Sequence, residues 1–453
     1  MSEKLSQPPV DSSRRDFLRL GAATTLGVAL AAQSEPASAS GAATMINVPF
    51  DSKRARVAIV GLGGRGTSLL TDLLATDAEI VGLCDVLEAP VNKAQAIVSA
   101  AGKGKSETYF GNEHSFERLM KRNDVDLVIV STPWKWHAPI AVAAMESGKH
   151  AAVEVPGVTT IDECWQIVNT SERTRRHCMI LENCCYGYNE TLILRMAHAG
   201  ELGELLYGEG AYIHDLRSIL FANEGEGLWR RADHTKRDGN LYPTHGLGPI
   251  ANCMQIQRGD RFTHLVSMST RQRGLDLYRQ KTVPTGDPKW KERYVTGDMN
   301  TSLIKTERGR TITVKHDIVN PHPYNRVNSI AGTKGLFEDY PPRIYVEGQA
   351  GGEKYASLDA WKRYEHPLWK QEGTAARTNG GHGGMDFIML YRLVQCLKQG
   401  LPPDLDVYDA AAWASIYPLS VASVSRGSAP VDVPDFTRGT WNTRTASQIA
   451  TST

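Results

Sequence analysis

As far as about residue 180 the chain alternates short apolar runs with segments whose apolar positions recur at helical spacing. VAIVG at 57–61, EIVGLCD at 79–85, DVDLVIVSTP at 124–133, HAAVEVP at 150–156 and HCMILEN at 177–183 read as strands. Between them TSLLTDLL, HAPIAVAAMESG closing on Gly148, and TIDECWQIVNTSERT read as helices. That rhythm predicts right-handed βαβ units and a doubly wound parallel sheet. From about 200 to 345 the pattern changes. LLYGEGAYIHD, THLVSMST, TSLIKTERGRTITVKHDI and NSIAGTKGLFED read as strands joined by turns, hence an open, mainly antiparallel sheet in an α+β domain. One face of such a sheet takes helices, and the other is a natural dimer surface. Residues 384–398 and 407–425 read as late helices, and the polar end, 437–453, as a tail.

The first turn carries the most specific chemistry. VAIV enters Gly61-x-Gly63-x-x-Gly66, and the helical segment follows. The first two glycines allow a tight turn and close approach of backbone to a pyrophosphate, and the third lets the helix pack on the strand. Asp85 ends the second strand, where a carboxylate accepts from an adenosine ribose and repels a 2′-phosphate, so the expected cofactor is NAD rather than NADP. These features define a Rossmann-type NAD-binding domain over 50–182 and a substrate-binding domain over 183–436.

Composition narrows the partners. With 51 basic against 50 acidic residues, nothing favours nucleic acid or an acidic polymer. The seven cysteines form no CxxC pair and no zinc spacing, and read as buried thiols. Ser13-Arg14-Arg15-Asp16-Phe17-Leu18 opens the apolar stretch LRLGAATTLGVALAA, and Ala37-Ser38-Ala39 supplies a small-residue cleavage pattern. This is the form of a twin-arginine signal over 1–39, which implies export in the folded, cofactor-loaded state to the periplasm or beyond. The stretch is too short and too rich in Ala, Gly and Thr for an anchor, which needs ~20 apolar residues.

The whole arrangement resembles the Gfo/Idh/MocA proteins, whose pattern includes Glu-Lys-Pro at the end of a Rossmann strand and a later Asp-x-x-x-His. Here the first is Glu154-Val155-Pro156, without the lysine, and the second is Leu241-Tyr242-Pro243-Thr244-His245, without the aspartate. WKWH at 134–137, EVP at 154–156, ENCCYG at 182–187, AYIHDLR at 211–217, WRR at 229–231, YPTHGLGP at 242–249 and HGGMDF at 382–387 are similar to one branch, glycoside hydrolase family 109, the NAD-dependent α-N-acetylgalactosaminidases. Tyr188 stands where that pattern has arginine.

The resemblance implies a redox-neutral hydrolysis of terminal N-acetylgalactosamine. NAD takes a hydride from sugar C3, a base removes the acidified C2 proton, the glycosidic oxygen leaves C1, water adds, and the hydride returns. It also implies roles. Gly63, Gly64 and Arg65 lie along the pyrophosphate, with Asp85 on the ribose; Trp134, Lys135, Trp136, His137, Glu154, Val155 and Asn183 border the rest of the cofactor. Tyr212, Arg231, Tyr242, Pro243, Thr244, His245 and Tyr324 line the sugar. His245 and Tyr242 are the expected proton-transfer pair, because imidazole titrates near ~6.5 and a phenol relays a proton if its pKa is lowered. His214 is a reserve. No metal site is expected. The alternative function is a sugar oxidoreductase that exchanges NAD with solution, which the missing lysine disfavours.

Overall fold

In the computed structural model, which describes residues 44–349 and 352–451, six strands form the first sheet. They are β1 (Arg56–Val60), β2 (Glu79–Cys84), β3 (Glu107–Tyr109), β4 (Leu127–Val130), β5 (His150–Val153) and β6 (Cys178–Ile180). All pair in parallel in the order β3-β2-β1-β4-β5-β6. Every residue of β4 and β5 is buried, as their unbroken apolar runs require. The strand order reverses between β1 and β4, so a crevice opens beyond their carboxyl ends. Thr160 and Glu163 form a reciprocal capping box that starts the helix Ile161–Thr174. The predicted leader, 1–39, lies outside the described residues.

The second sheet contains β7 (Leu205–Ile213), β8 (Phe262–Ser269), β9 (Asn300–Thr306), β10 (Thr311–Asp317), β11 (Ser329–Gly332), β12 (Gly335–Glu338), β13 (Arg343–Val346) and β14 (Val431–Asp432). Its order is β13-β12-β11-β7-β10-β9-β8-β14, antiparallel throughout except for β7 with β10. Helices Thr244–Cys253 and Val407–Ser425 cover one face, against β7 and β8. The opposite face carries exposed Met268 and Leu303.

The YPTHGLGP segment is not the loop its Pro and Gly content suggests. Residues 244–253 are helical, with Pro249 inside the helix. The glycines there serve close approach. A Cβ on Gly210 of β7 would lie 2.1 Å from the Gly246 carbonyl oxygen, and one on Gly246 2.4 Å from the Ala211 nitrogen. Helix and strand therefore touch backbone to backbone, and His245 at the first turn is held against the sheet. All seven cysteines are buried free thiols. Among the described residues no helix is long and apolar enough to cross a membrane.

The end of the chain departs from the expected tail. Residues 437–451 pack onto both domains, with Ile449 and Ala450 buried, the His366 Nε2 2.9 Å from the Ile449 carbonyl oxygen, and Arg438 donating to Glu172 of the first domain at 2.6 and 2.8 Å. Arg444 is buried against Asp406, the cap of helix Val407–Ser425, and Arg258 makes a bidentate contact of 2.5 and 2.6 Å with Asp409 one turn later. The segment reads as polar because its work is to bring two cations, Arg438 and Arg444, to buried carboxylates. Arg444→Ala leaves Asp406 underpaired in a dry site and should cost about 3 kcal/mol, seen as a lower urea midpoint with unchanged m-value; a midpoint equal to wild type would reduce the segment to a surface strap.

Candidate functional site

The turn after β1 is shaped by contacts that only glycine permits. Gly61 has φ +92°, and a Cβ on Gly66 would lie 1.9 Å from the Gly61 carbonyl oxygen, so helix Gly64–Leu74 begins hard against the strand end. Gly63 and Gly64 face open space. Asp85 braces the turn, accepting from the Leu62 N–H at 2.7 Å through one oxygen and from the Leu87 N–H at 3.0 Å through the other. A helix N-terminus behind bare glycines, with an oriented carboxylate beside it, fits the pyrophosphate and adenosine ribose of NAD.

A cavity of about 850 Å³ starts at this turn and runs into the second domain. Its first half contains the expected cofactor residues Gly63, Gly64, Arg65, Asp85, Trp134, Lys135, Trp136, His137, Glu154, Val155 and Asn183. They are not equivalent. Lys135 and the Trp136 indole both reach exposed Glu113, at 2.8 and 3.3 Å, and form the rim. His137 is buried, with Nδ1 2.8 Å from the Gly157 carbonyl oxygen and Nε2 2.9 Å from that of Thr132. It ties two strand-end loops together, and burial depresses its pKa. Trp134 is buried against Tyr242, ring centroids 5.8 Å apart, and Trp229.

Arg65 makes the central contact. Its Nε donates to Glu154 at 2.7 Å, and its two terminal nitrogens donate to Asp386 at 2.6 and 3.2 Å. Asp386 also accepts from the Asn183 amide at 2.6 Å and from His382 Nδ1 at 2.7 Å. Burial alone would raise Asp386, but the His382 hydrogen bond and the Arg65 charge outweigh it and hold the carboxyl well below its usual range.

The second half is aromatic. Tyr212, Tyr242 and His245 form a triangle of ring centroids 4.7 to 5.2 Å apart. His245 Nδ1 lies 2.7 Å from Glu182 Oε1, and the Glu182 side chain is fully buried. Burial opposes ionisation of Glu182, but its electrostatic interaction with His245 and the hydrogen bonds it accepts from His245 Nδ1 and the Cys184 N–H prevail and hold its pKa below the usual value, so it is an anionic acceptor. Nδ1 therefore carries the proton, and Nε2 faces the cavity as the reactive nitrogen. Pro243 caps the helix that His245 begins, and Thr244 is buried beside Glu182. His214 lines the cavity with Nδ1 3.2 Å from the Tyr212 hydroxyl; burial and Arg230 lower its pKa.

Two expectations are corrected. Arg231 does not line the cavity: it pairs with Glu292 at 2.7 Å and donates to the Leu220 and Gly227 carbonyls. Its neighbour Arg230 is the cavity residue, buried with its guanidinium 4.7 Å from the Tyr242 ring centroid and 5.2 Å from that of Trp134. Tyr242 also lacks the lowered pKa on which its relay of a proton was to depend. Burial drives its pKa well above the ordinary phenol value despite Arg230, as it does for Tyr212 to a lesser degree, so both are proton-bearing donors. Tyr324 stands beside the cavity, its ring edge-on to Tyr212 and His214, which line it, and its hydroxyl accepting from Arg326 at 3.2 Å.

Glu182, Asp386, His382 and Arg230 drew no role from the sequence. Glu182 had a signal, since it follows β6 where Rossmann ligands sit; Asp386 and His382 meet the glycine turn only across more than three hundred residues, and Arg230 is brought to Trp134 and Tyr242 by the fold. The ligand atoms of Glu182, Cys184 and His245 lie within 4.8 Å of one another, a grouping that can hold a metal ion. The 2.7 Å hydrogen bond between two of them is shorter than the spacing of two ligands on one ion, and burial keeps the Cys184 thiol protonated.

Comparison with known proteins follows this division. Residues 186–443 match the family model described as glycosyl hydrolase 109, C-terminal domain, and residues 55–181 match that of the oxidoreductase family, NAD-binding Rossmann fold. A glycosyl hydrolase family 109 protein of Solibacter usitatus is 56% identical over 96% of this chain and 99% of its own length. An alpha-N-acetylgalactosaminidase of Shewanella oneidensis is 45% identical over 94% and 96%. Among solved structures, an inositol dehydrogenase homologue of Azotobacter vinelandii complexed with NAD+ shares the fold, with a TM-score of 0.59 and 18% identity over 86% of this chain and 99% of that one. Exhaustive treatment with EDTA should leave catalytic turnover unchanged; a loss restored by manganese would assign an ion to Glu182, Cys184 and His245.

Proposed function

The chain belongs to glycoside hydrolase family 109, and from that premise we propose that this NAD-binding glycosidase releases terminal N-acetylgalactosamine without net turnover of its cofactor. The observation that carries the proposal is the Glu182–His245 dyad, which opens on the same cavity as the glycine turn.

Bound NAD would supply acceptance and return of a hydride at sugar C3, while the C3 hydroxyl proton would pass through the Tyr212 hydroxyl to His214 Nδ1, 3.2 Å away, and return by the same route; the ketone so formed acidifies the proton at C2. Removing that proton falls to His245 Nε2. The Glu182 carboxylate fixes the ring and its tautomer, and stabilises the imidazolium that results. Tyr212 and Tyr242, kept protonated by burial, present hydroxyls to the oxygens of the sugar, among them the one that leaves C1. Arg230 lies over the Tyr242 ring as a fixed cation, where negative charge that develops on a sugar oxygen is stabilised without reorganisation. Trp134 and Trp229 exclude water from one side. Position 155, where the related dehydrogenase pattern has lysine, is the buried Val155, so the ammonium group that assists hydride transfer in that pattern is missing here.

The test follows nitrophenol release and NADH absorbance together on p-nitrophenyl α-N-acetylgalactosaminide. Steady nitrophenol without net NADH, and deuterium at C2 of sugar formed in heavy water, is the expected result; NADH accumulating without nitrophenol would make the protein a dehydrogenase. His245→Ala should retain NAD and fold while losing about a hundredfold or more in kcat, and Glu182→Gln should lose less with a changed pH profile. Near-normal turnover of His245→Ala would remove the dyad from the chemistry.

The twin-arginine leader supports export of the folded, NAD-loaded protein. Arg14→Lys together with Arg15→Lys should leave it in the cytoplasmic fraction, and unaltered export would refute that route.

A further inference from the structure

The cofactor half of the cavity contains a charge imbalance. A dinucleotide brings two negative charges to the turn at Gly63–Arg65, and the nearest cation is Arg65. Its charge is already shared between two carboxylates. Both Glu154 oxygens accept from donors, Arg65 Nε and the Val155 N–H, and Asp386 accepts from both Arg65 terminal nitrogens. Burial pushes the Glu154 pKa up and Arg65 pulls it back; with both carboxylates ionised, Arg65, Glu154 and Asp386 together are net negative, which repels a pyrophosphate.

His382 corrects this. It lines the same cavity from the second domain, on Gly380-Gly381-His382-Gly383-Gly384, where three successive residues have positive φ, of +52°, +72° and +99°. The flanking glycines let the loop fold tightly over Asp386: a Cβ on Gly381 would lie 2.6 Å from an Asp386 carboxylate oxygen. Nδ1 is committed to Asp386, and among the described residues Nε2 has no partner while the side chain stays 58% exposed. We propose that His382 binds the pyrophosphate of NAD through Nε2–H, as an imidazolium held in place by Asp386. The proposal rests on NAD as the cofactor and adds a residue of the second domain to its binding site.

The groups that face His382 are consistent. Asp386 raises its pKa most, Glu154 adds to this, and Arg65 opposes. Asp72 on the turn's own helix is held up to about 7 by burial and by Asp386. His214, across the cavity, is lowered by burial and remains mostly neutral. The cation is therefore present at low pH and lost as pH rises through the His382 pKa, and NAD affinity should fall with it.

The experiment is a calorimetric titration of cofactor-stripped protein with NAD, ADP-ribose and adenosine between pH 6.5 and 9. For His382→Ala at pH 6.5 the Kd for NAD and for ADP-ribose should rise about tenfold, the scale of one charge-assisted hydrogen bond, with adenosine unchanged and the pH dependence gone. His382→Gln keeps an N–H but no charge. It serves if the alanine variant loses its thermal midpoint, and should bind NAD more weakly than wild type at pH 6.5 and equally at pH 9. Wild-type affinity for NAD in either variant at pH 6.5, or an equal loss for adenosine, overturns the proposal. Failure of the wild type to bind NAD overturns the cofactor assignment with it.

Discussion

The structure depends on one guanidinium. Arg65 belongs to the glycine turn, yet its donors end on Glu154 at the β5 end and on Asp386 in the first turn of a helix more than three hundred residues later. With 23% of the side chain exposed, the arrangement is largely dry, and burial would depress the Arg65 pKa were it not for the two carboxylates, which raise it. A buried cation between two anions is worth little as a source of stability and much as a register. It fixes where the second domain meets the cofactor turn, and Asn183 and His382 take their positions from the same Asp386.

That register decides the chemistry available beyond it. Once the turn and the second domain are locked, Trp134 reaches Tyr242, and Tyr242 reaches His245. The dyad is then assembled from two sides: Glu182 follows β6 of the parallel sheet, and His245 begins a helix pressed onto β7 of the other. The backbone contact between Gly210 and Gly246 is what brings that helix close enough. Each domain alone lacks half of the base. A cavity divided in this way binds a cofactor at one end and performs proton transfer at the other.

What could be read from sequence follows the range of the interactions. Strands covered on both faces are continuous apolar runs, so β1, β4 and β5 were visible at once, and the Thr160 capping box and Asp406 cap mark helix starts by local chemistry alone. The glycine turn with Asp85 was legible because its residues act within thirty positions of one another. The helix at 244–253 was not, since glycine and proline oppose a helix locally and only the sheet beneath explains them. Arg230 and Arg231 are indistinguishable by type, and which one enters the cavity depends on Glu292, which captures Arg231. The polar end hid its role for the same reason: the partner of Arg444 is Asp406, and nothing near 444 reveals it.

The tyrosines carry the last step of the argument. A phenol beside an arginine invites a reading as a lowered-pKa base, because the nearby cation favours phenolate. Arg230 does act in that direction on Tyr242, but burial acts more strongly the other way. The same dry surroundings leave Glu182 ionised, since its compensation is direct hydrogen bonds from the His245 Nδ1–H and the Cys184 N–H onto the carboxylate itself. Contact geometry separates the two cases: a guanidinium over the face of a ring stabilises the aromatic system, whereas a donor on a carboxylate oxygen stabilises the anion itself. The site thus keeps its base on the imidazole and its proton donors on the phenols, two roles set apart by environment within about 5 Å.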